Sequence, residues 1–275
     1  MSRSTPAPEP ATAGVAGGRD MRVIAFANQK GGVGKTTTAV NASVMLGQSG
    51  FKVLLVDLDP QGNTTSSLGI EKAGLASTIY DVILDEADLA DAIVPMVRPN
   101  VDVLPTTPAL AAAEVDLVAV VRREHQLKRS LSAASSSYDL AIIDCPPSLG
   151  LLTINGLTAA NHVIIPIQCE FLALEGVSQL ITTIDLVKRH LNPDLDLLGV
   201  LMTMFDARTN LSSSVVEEVR RFFPDRIFAT VVPRSVRLAE APSYGQSIFE
   251  YDPSSRGGQA YATFTRELIE RLELQ

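Results

Sequence analysis

Asn28-Gln29-Lys30-Gly31-Gly32-Val33-Gly34-Lys35-Thr36-Thr37-Thr38 is the stretch that decides the fold. Upstream of it, Arg22 to Ala27 reads Arg-Val-Ile-Ala-Phe-Ala, a short apolar run of the kind that forms a strand buried on both faces. Downstream, Thr36 to Gly47 carries Ala39, Ala42, Val44, Met45 and Leu46 and then meets Gly47 and Gly50, which predicts a helix that stops there. A glycine-rich loop between a strand and a helix is the setting that holds a nucleoside triphosphate. Gly31, Gly32, Val33, Gly34, Lys35, Thr36 and Thr37 would offer successive N–H groups to phosphate oxygens, with the positive end of the helix behind them. Lys35 is expected to reach the β- and γ-phosphates, and the Thr36 hydroxyl to bind Mg²⁺.

The strict pattern G-x-x-x-x-G-K-[ST] fails at its first position, which is Gln29. The variant K-G-G-x-G-K-[ST] matches over residues 30–36 and adds a second lysine, Lys30. Three further motifs follow in order. Val53-Leu-Leu-Val-Asp-Leu-Asp-Pro-Gln-Gly-Asn63 is an apolar strand running into carboxylates, and period two would place Asp57 and Asp59 on one strand face. Leu140-Ala-Ile-Ile-Asp144, followed by Cys145-Pro-Pro-Ser148, is a Walker-B-type strand whose Asp144 suits a magnesium shell. Pro233-Arg-Ser-Val-Arg-Leu-Ala-Glu-Ala-Pro242 is a loop after a predicted strand.

With these four motifs the chain resembles the ParA/Soj family of chromosome- and plasmid-partitioning ATPases, in the deviant Walker A P-loop class that also contains MinD. The resemblance runs from about residue 21 to 272. It implies ATP and Mg²⁺ as cofactors, with Thr36, Asp59 and Asp144 around the metal. It implies that Lys30, Lys35 and Asp59 act in hydrolysis, Asp59 by positioning the attacking water. Lys30 would reach the nucleotide of a second subunit, so that ATP creates a homodimer and hydrolysis dissolves it. Pro233 and Arg234 would lie near the adenine. Arg208 and Arg237 match positions linked to nonspecific binding of double-stranded DNA, and a ParB-like centromere-binding protein would stimulate turnover. The implied place in the cell is the cytoplasm, on the nucleoid and off the membrane.

Composition agrees with one α/β domain. Of 275 residues, 46% are hydrophobic, Trp is absent, and Cys145 and Cys169 are the two cysteines, without metal-type spacing. Strands are expected at Val53–Val56, Val101–Leu104, Asp139–Ile143, Val163–Ile167, Leu197–Met204 and Ile227–Val231. Helices are expected at about Ala109–Ser132, Leu174–Leu191, Ser212–Phe223 and Gln259–Leu274. This alternation predicts a mostly parallel twisted sheet with helices on both faces, spanning residues 21–275 after a disordered tail over 1–20. The net charge of −8 opposes nucleic-acid binding in bulk. Locally it does not, because six arginines (208, 220, 221, 226, 234 and 237) fall within thirty residues beside Glu217, Glu218 and Asp225. Arg220 and Arg221 read equally well as a solvated helix face. A MinD-like membrane-associated ATPase is the alternative, and the acidic balance of Arg266-Glu-Leu-Ile-Glu-Arg-Leu-Glu-Leu-Gln275 speaks against it. A nitrogenase-iron-protein type would need differently placed cysteines, and a ligase would need a second substrate site.

Overall fold

The computed structural model describes residues 21–274 apart from Leu172 and Glu175, so the tail expected over 1–20 lies outside the described residues. Among the described residues, eight strands form one sheet: β1 (Arg22–Phe26), β2 (Val53–Asp57), β3 (Val94–Arg98), β4 (Val101–Leu104), β5 (Leu140–Asp144), β6 (His162–Gln168), β7 (Asp196–Phe205) and β8 (Ile227–Pro233). Their order is β3-β4-β2-β5-β1-β6-β7-β8. Every neighbouring pair is parallel except β3 with β4. In β2 and β5 every residue is buried. Side chains therefore alternate between two apolar cores. Ile24, Phe26, Leu55 and Ile142 join one, and Val23, Ala25, Leu54 and Ile143 the other. Helices Lys35–Gln48 and Arg256–Arg271 cover the first core, and helices Leu151–Ala159, Val177–His190 and Asn210–Phe222 cover the second. The expected α/β class, with a mostly parallel sheet and helices on both faces, is the fold observed.

Two expectations change. The edge strand β3 was not expected, because Pro95 interrupts its short apolar run; Met96 within it takes a positive φ of 52°. Proline is tolerated at an edge, where one side of the strand needs no ladder partner, and Met96 falls where the β3–β4 register shifts. The helix expected over Ala109–Ser132 is in fact broken. Short helical turns run from Pro108 to Ala119, Arg122 takes a left-handed φ of 54°, and an α-helix resumes at Gln126–Ser132. Alanine content favours a continuous helix, but Leu110, Ala113 and Leu117 are buried on one side of the break and Leu127 and Leu131 on the other. Asn155 holds the break, accepting from Leu127 N at 3.2 Å and donating to Arg123 O at 2.8 Å. Caps move other boundaries. Ser255 accepts from Gly258 N and starts the last helix at Arg256, and Thr209 accepts from Ser212 N and starts its helix at Asn210.

The last helix buries Tyr261, Phe264 and Leu268 in the core, with Leu272 behind them. Its apolar face is thus spent on packing, as its acidic sequence suggested. Among the described residues, no helix is long and apolar enough to cross a membrane.

Candidate nucleotide site

The loop after β1 opens at the carboxyl end of the sheet, beside the ends of β2 and β5. This is where α/β folds place ligands. Its entry is fixed by Asn28, which donates to Pro166 O at 2.8 Å and accepts from Lys30 N at 3.0 Å. Gly32 and Gly34 take φ of 75° and 90°, values that side-chain-bearing residues rarely adopt. Thr203 of β7 donates to Val33 O at 2.8 Å and braces the far side of the loop. The helix then starts at Lys35 with no acidic residue in its first turn, so its N-terminal N–H groups and positive end stay free for an anion.

The loop walls a cavity of about 510 Å³ lined by Gly31, Lys35, Thr36, Asp59 and Gln61 among others. Lys35 is buried, and its Nζ donates to Lys30 O at 3.2 Å. Burial lowers its pKa against the opposing pull of Asp144. Asp144, fully buried at the end of β5, accepts through Oδ2 from Thr36 Oγ1 at 2.7 Å and from Thr64 Oγ1 at 2.8 Å. Its Oδ1 has no hydrogen-bond partner among the described residues, and burial pushes its pKa up to about 6. An unpartnered carboxylate oxygen on a group already bonded to the loop threonine suits a site built for a hydrated cation.

Asp57 and Asp59 have different partners. β2 stops at Asp57, whose carboxylate turns inward to accept from Thr65 N at 2.8 Å and Thr65 Oγ1 at 2.7 Å. Burial, with Asp144 close by, raises its pKa to about 7. Asp57 thus anchors the loop that follows. Asp59 lies two residues past the strand, lines the cavity, and accepts from Gln61 N at 3.0 Å. Thr64, which sequence reasoning missed, belongs beside Asp144. Its only signal was a hydroxyl five residues after Asp59 in the Asn63-Thr-Thr run.

A second cavity of about 220 Å³ adjoins the first and shares Gly34, Thr37 and Leu238 with it. Pro233 and Arg234 line this second space with Met204 and Tyr261, so the expected base-side residues do meet the loop. Lys30 does not line either cavity. It faces an open groove with Pro147, Ser148, Leu149 and Gln179, and its Nζ pairs with Glu170, a partner the sequence did not signal.

The arginine run divides. Strands β7 and β8 pair Phe205 with Pro233, and Arg234 N donates to Phe205 O at 2.9 Å. This brings the loops bearing Arg208 and Arg237 to the same edge as the phosphate cavity. Arg208 is 85% exposed and forks onto Asp206, with Nε at 2.9 Å and Nη2 at 2.6 Å. That fork holds the Asp206 carboxyl well below its ordinary pKa. Arg237 is half exposed and pairs with Glu240 at 3.0 Å and Asp252 at 3.5 Å. Arg226 lies at the opposite, amino end of these strands, donating to Asp196 at 2.7 Å and Leu197 O at 2.6 Å where β7 begins. The six arginines therefore do not form one patch.

A glycine loop feeding a helix, a lysine and threonine facing a cavity, and a buried carboxylate at the adjacent strand end define a P-loop nucleotide-binding protein. A family model described as an AAA domain matches residues 21–197. The sporulation initiation inhibitor protein Soj of Bacillus subtilis is 56% identical over 247 residues, covering 90% of this chain and 98% of Soj. The chromosome partitioning protein ParA of Myxococcus xanthus is 50% identical over 250 residues, covering 91% of this chain and 88% of that protein. A crystal structure described as cobyrinic acid a,c-diamide synthase from Mycobacterium smegmatis, with bound ATP analogue and magnesium, superposes with a TM-score of 0.82 at 41% identity, covering 92% and 96% of the two chains. The chain belongs to the ParA/Soj family of chromosome-partitioning P-loop ATPases.

Proposed function

We propose that this chain dimerises when it binds ATP, that the ATP dimer holds double-stranded DNA without sequence preference, and that hydrolysis, stimulated by a ParB-like partner, releases it in the course of DNA segregation. The observation that carries this reading is the position of Lys30. Its ammonium lies outside the phosphate cavity of its own loop, on an open face beside Pro147 and Leu149. A cation held there faces outward, where a second subunit's triphosphate can meet it. Its ion pair with Glu170 is partly solvated and therefore exchangeable.

Within one site, Lys35 and the loop N–H groups bind and orient the β- and γ-phosphates. Thr36, Asp59 and Asp144 would hold the metal at the wall of the cavity. Mg²⁺ at that position supplies positive charge to the phosphate oxygens. Asp59 positions the attacking water, and Lys30 of the opposite subunit stabilises charge on the γ-phosphoryl oxygens as it transfers. Pro233 and Arg234 border the base.

Arg208 and Arg237 contact DNA phosphates on the edge shared with the nucleotide. Two weak footprints acting together in a dimer make binding depend on ATP without any base contact. The acidic net charge is no obstacle, since phosphate contacts are local and screened by salt. The protein then works in the cytoplasm on the nucleoid. Lys30→Ala tests the reading directly. The variant should retain ATP but stay monomeric in light scattering with ATP and Mg²⁺. A dimer as stable as wild type would remove the role given to Lys30.

A further inference from the structure

The segment that carries Arg237 also walls the nucleotide cavity, and one arginine outside both sites joins it to the loop after Asp59. Residues 236–252 hold a short α-helix, Val236–Glu240, that runs on into a 3-10 helix, Ala241–Tyr244, and then a second short α-helix, Ile248–Tyr251. Leu238, Ala239 and Pro242 line the phosphate cavity from this segment. Arg237 sits on its outer side, 5.9 Å from the centre of the Tyr251 ring, and Tyr251 donates to Glu240 at 3.0 Å. Tyr244 stacks on Tyr251 with centroids 5.2 Å apart. The outer side is therefore one connected unit.

The loop after Asp59 runs through the helix Asn63–Ser67, which Thr64 and Thr65 tie to Asp144 and Asp57. It then reaches Gly69, whose backbone abuts Gly245. A Cβ on Gly245 would lie 3.0 Å from the Gly69 Cα, and both glycines have positive φ. Arg98, at the end of β3, lies across this junction. Its Nη2 donates to Gly245 O at 2.6 Å, and its Nη1 lies 3.5 Å from Leu68 O and donates to Val97 O at 2.6 Å. Its Nε sits 2.6 Å from Glu250 Oε1 as an ion pair, although that N–H is not aimed as a hydrogen bond. Glu250 in turn accepts from Ser247 N at 2.9 Å and Ser247 Oγ at 2.8 Å, capping the second short helix. A planar guanidinium can address acceptors from two segments at once, whereas an ammonium cannot match that fork.

We infer that Arg98 is a positioning residue that couples the loop after Asp59 to segment 236–252, so that the state of the nucleotide is felt where Arg237 is presented. Arg98 touches neither cavity; it acts by holding Leu68–Gly69 and Gly245–Glu250 as one body. The two segments are the elements that both sites bias, which is what coupling between sites requires. The inference rests on the nucleotide-binding reading of the cavity and does not require DNA.

Hydrogen–deuterium exchange of the full chain, with and without ATPγS and Mg²⁺, tests it in wild type, Arg98→Lys and Arg98→Met. In wild type, nucleotide should slow exchange at 31–37, at 62–70 and at 245–252, by about fivefold or more. In both variants protection should persist at 31–37 and 62–70 and be lost at 245–252. Arg98→Lys keeps a cation beside Glu250, so its loss of response would separate the fork from simple charge balance. A response at 245–252 in the variants equal to wild type would overturn the coupling, as would no response there in wild type. Absence of protection at 31–37 in wild type would instead sink the nucleotide reading, and the coupling with it.

Discussion

The phosphate loop and the arginine run are both cationic, but they are built in opposite ways. Residues 28–38 hold Lys35 buried, with the backbone braced by Asn28 and Thr203 and the neighbouring Asp144 tied to Thr36. Residues 208–237 leave Arg208 mostly in water and hold Arg208 and Arg237 only through surface pairs with Asp206 and Glu240. The difference follows from what each must hold. Transferring a phosphoryl group needs donors fixed to within fractions of an ångström. Holding a DNA backbone needs charge of the right sign within a Debye length, and mobile side chains can supply that.

The sharpest break in this comparison would come from Asp59. Asp59→Ala should lower hydrolysis by about 10²–10⁴-fold while ATP stays bound and the dimer persists. Phosphate release together with scattering measures both, and rapid turnover would show that another group prepares the water. On the other side, Arg208→Ala combined with Arg237→Ala should abolish ATP-stimulated retention of random-sequence DNA at low salt. It should leave turnover without DNA intact and reduce the salt slope by about one for each arginine per DNA-bound subunit. Unchanged retardation would move the DNA contacts elsewhere.

Gly31→Val probes the boundary between the two regimes. A Cβ at Gly31 would meet Pro147 at an ordinary 4.0 Å, so the subunit itself accommodates a side chain there. The variant should bind nucleotide and yet dimerise less well, by about 1–3 kcal/mol of overpacking at a tight interface. A normal dimer in sedimentation would count against face-to-face packing at Gly31. The smallest effect is expected from Arg226→Ala. Its surface pair with Asp196 should be worth less than about 1 kcal/mol in a melting experiment, and DNA binding should not change. A DNA defect in Arg226→Ala would restore a continuous patch and erase the contrast drawn between the two regions.

Much of the phosphate site was legible because its chemistry is local. Strand, glycines, Lys35, Thr36 and helix follow one another within one turn of chain, and any fold that forms them brings them together. Asp144 was legible as the end of an apolar strand. Asp57 was legible as a carboxylate at a strand end, but its partner Thr65 was not, because that contact forms only when the following loop folds back. The Ala109–Ser132 region misled for a related reason. Helix propensity is a local sum, and burial of Leu110, Leu117, Leu127 and Leu131 by distant elements outweighed it. The arginine run misled because residues before and after β8, such as Arg226 and Arg234, lie at opposite ends of the strand.

By itself, the sequence determined that a parallel α/β sheet would carry a phosphate-binding loop with an additional lysine, since both depend on residues adjacent in the chain. Only the tertiary structure decided which groups complete that loop. Asp144 reaches Thr36 across 108 positions of sequence, Glu170 meets Lys30 across 140, and Arg98 joins Gly245 across 147. Such pairings depend on how strands are ordered and where loops fold back, and pairing strength falls off with distance in space, not with separation along the chain.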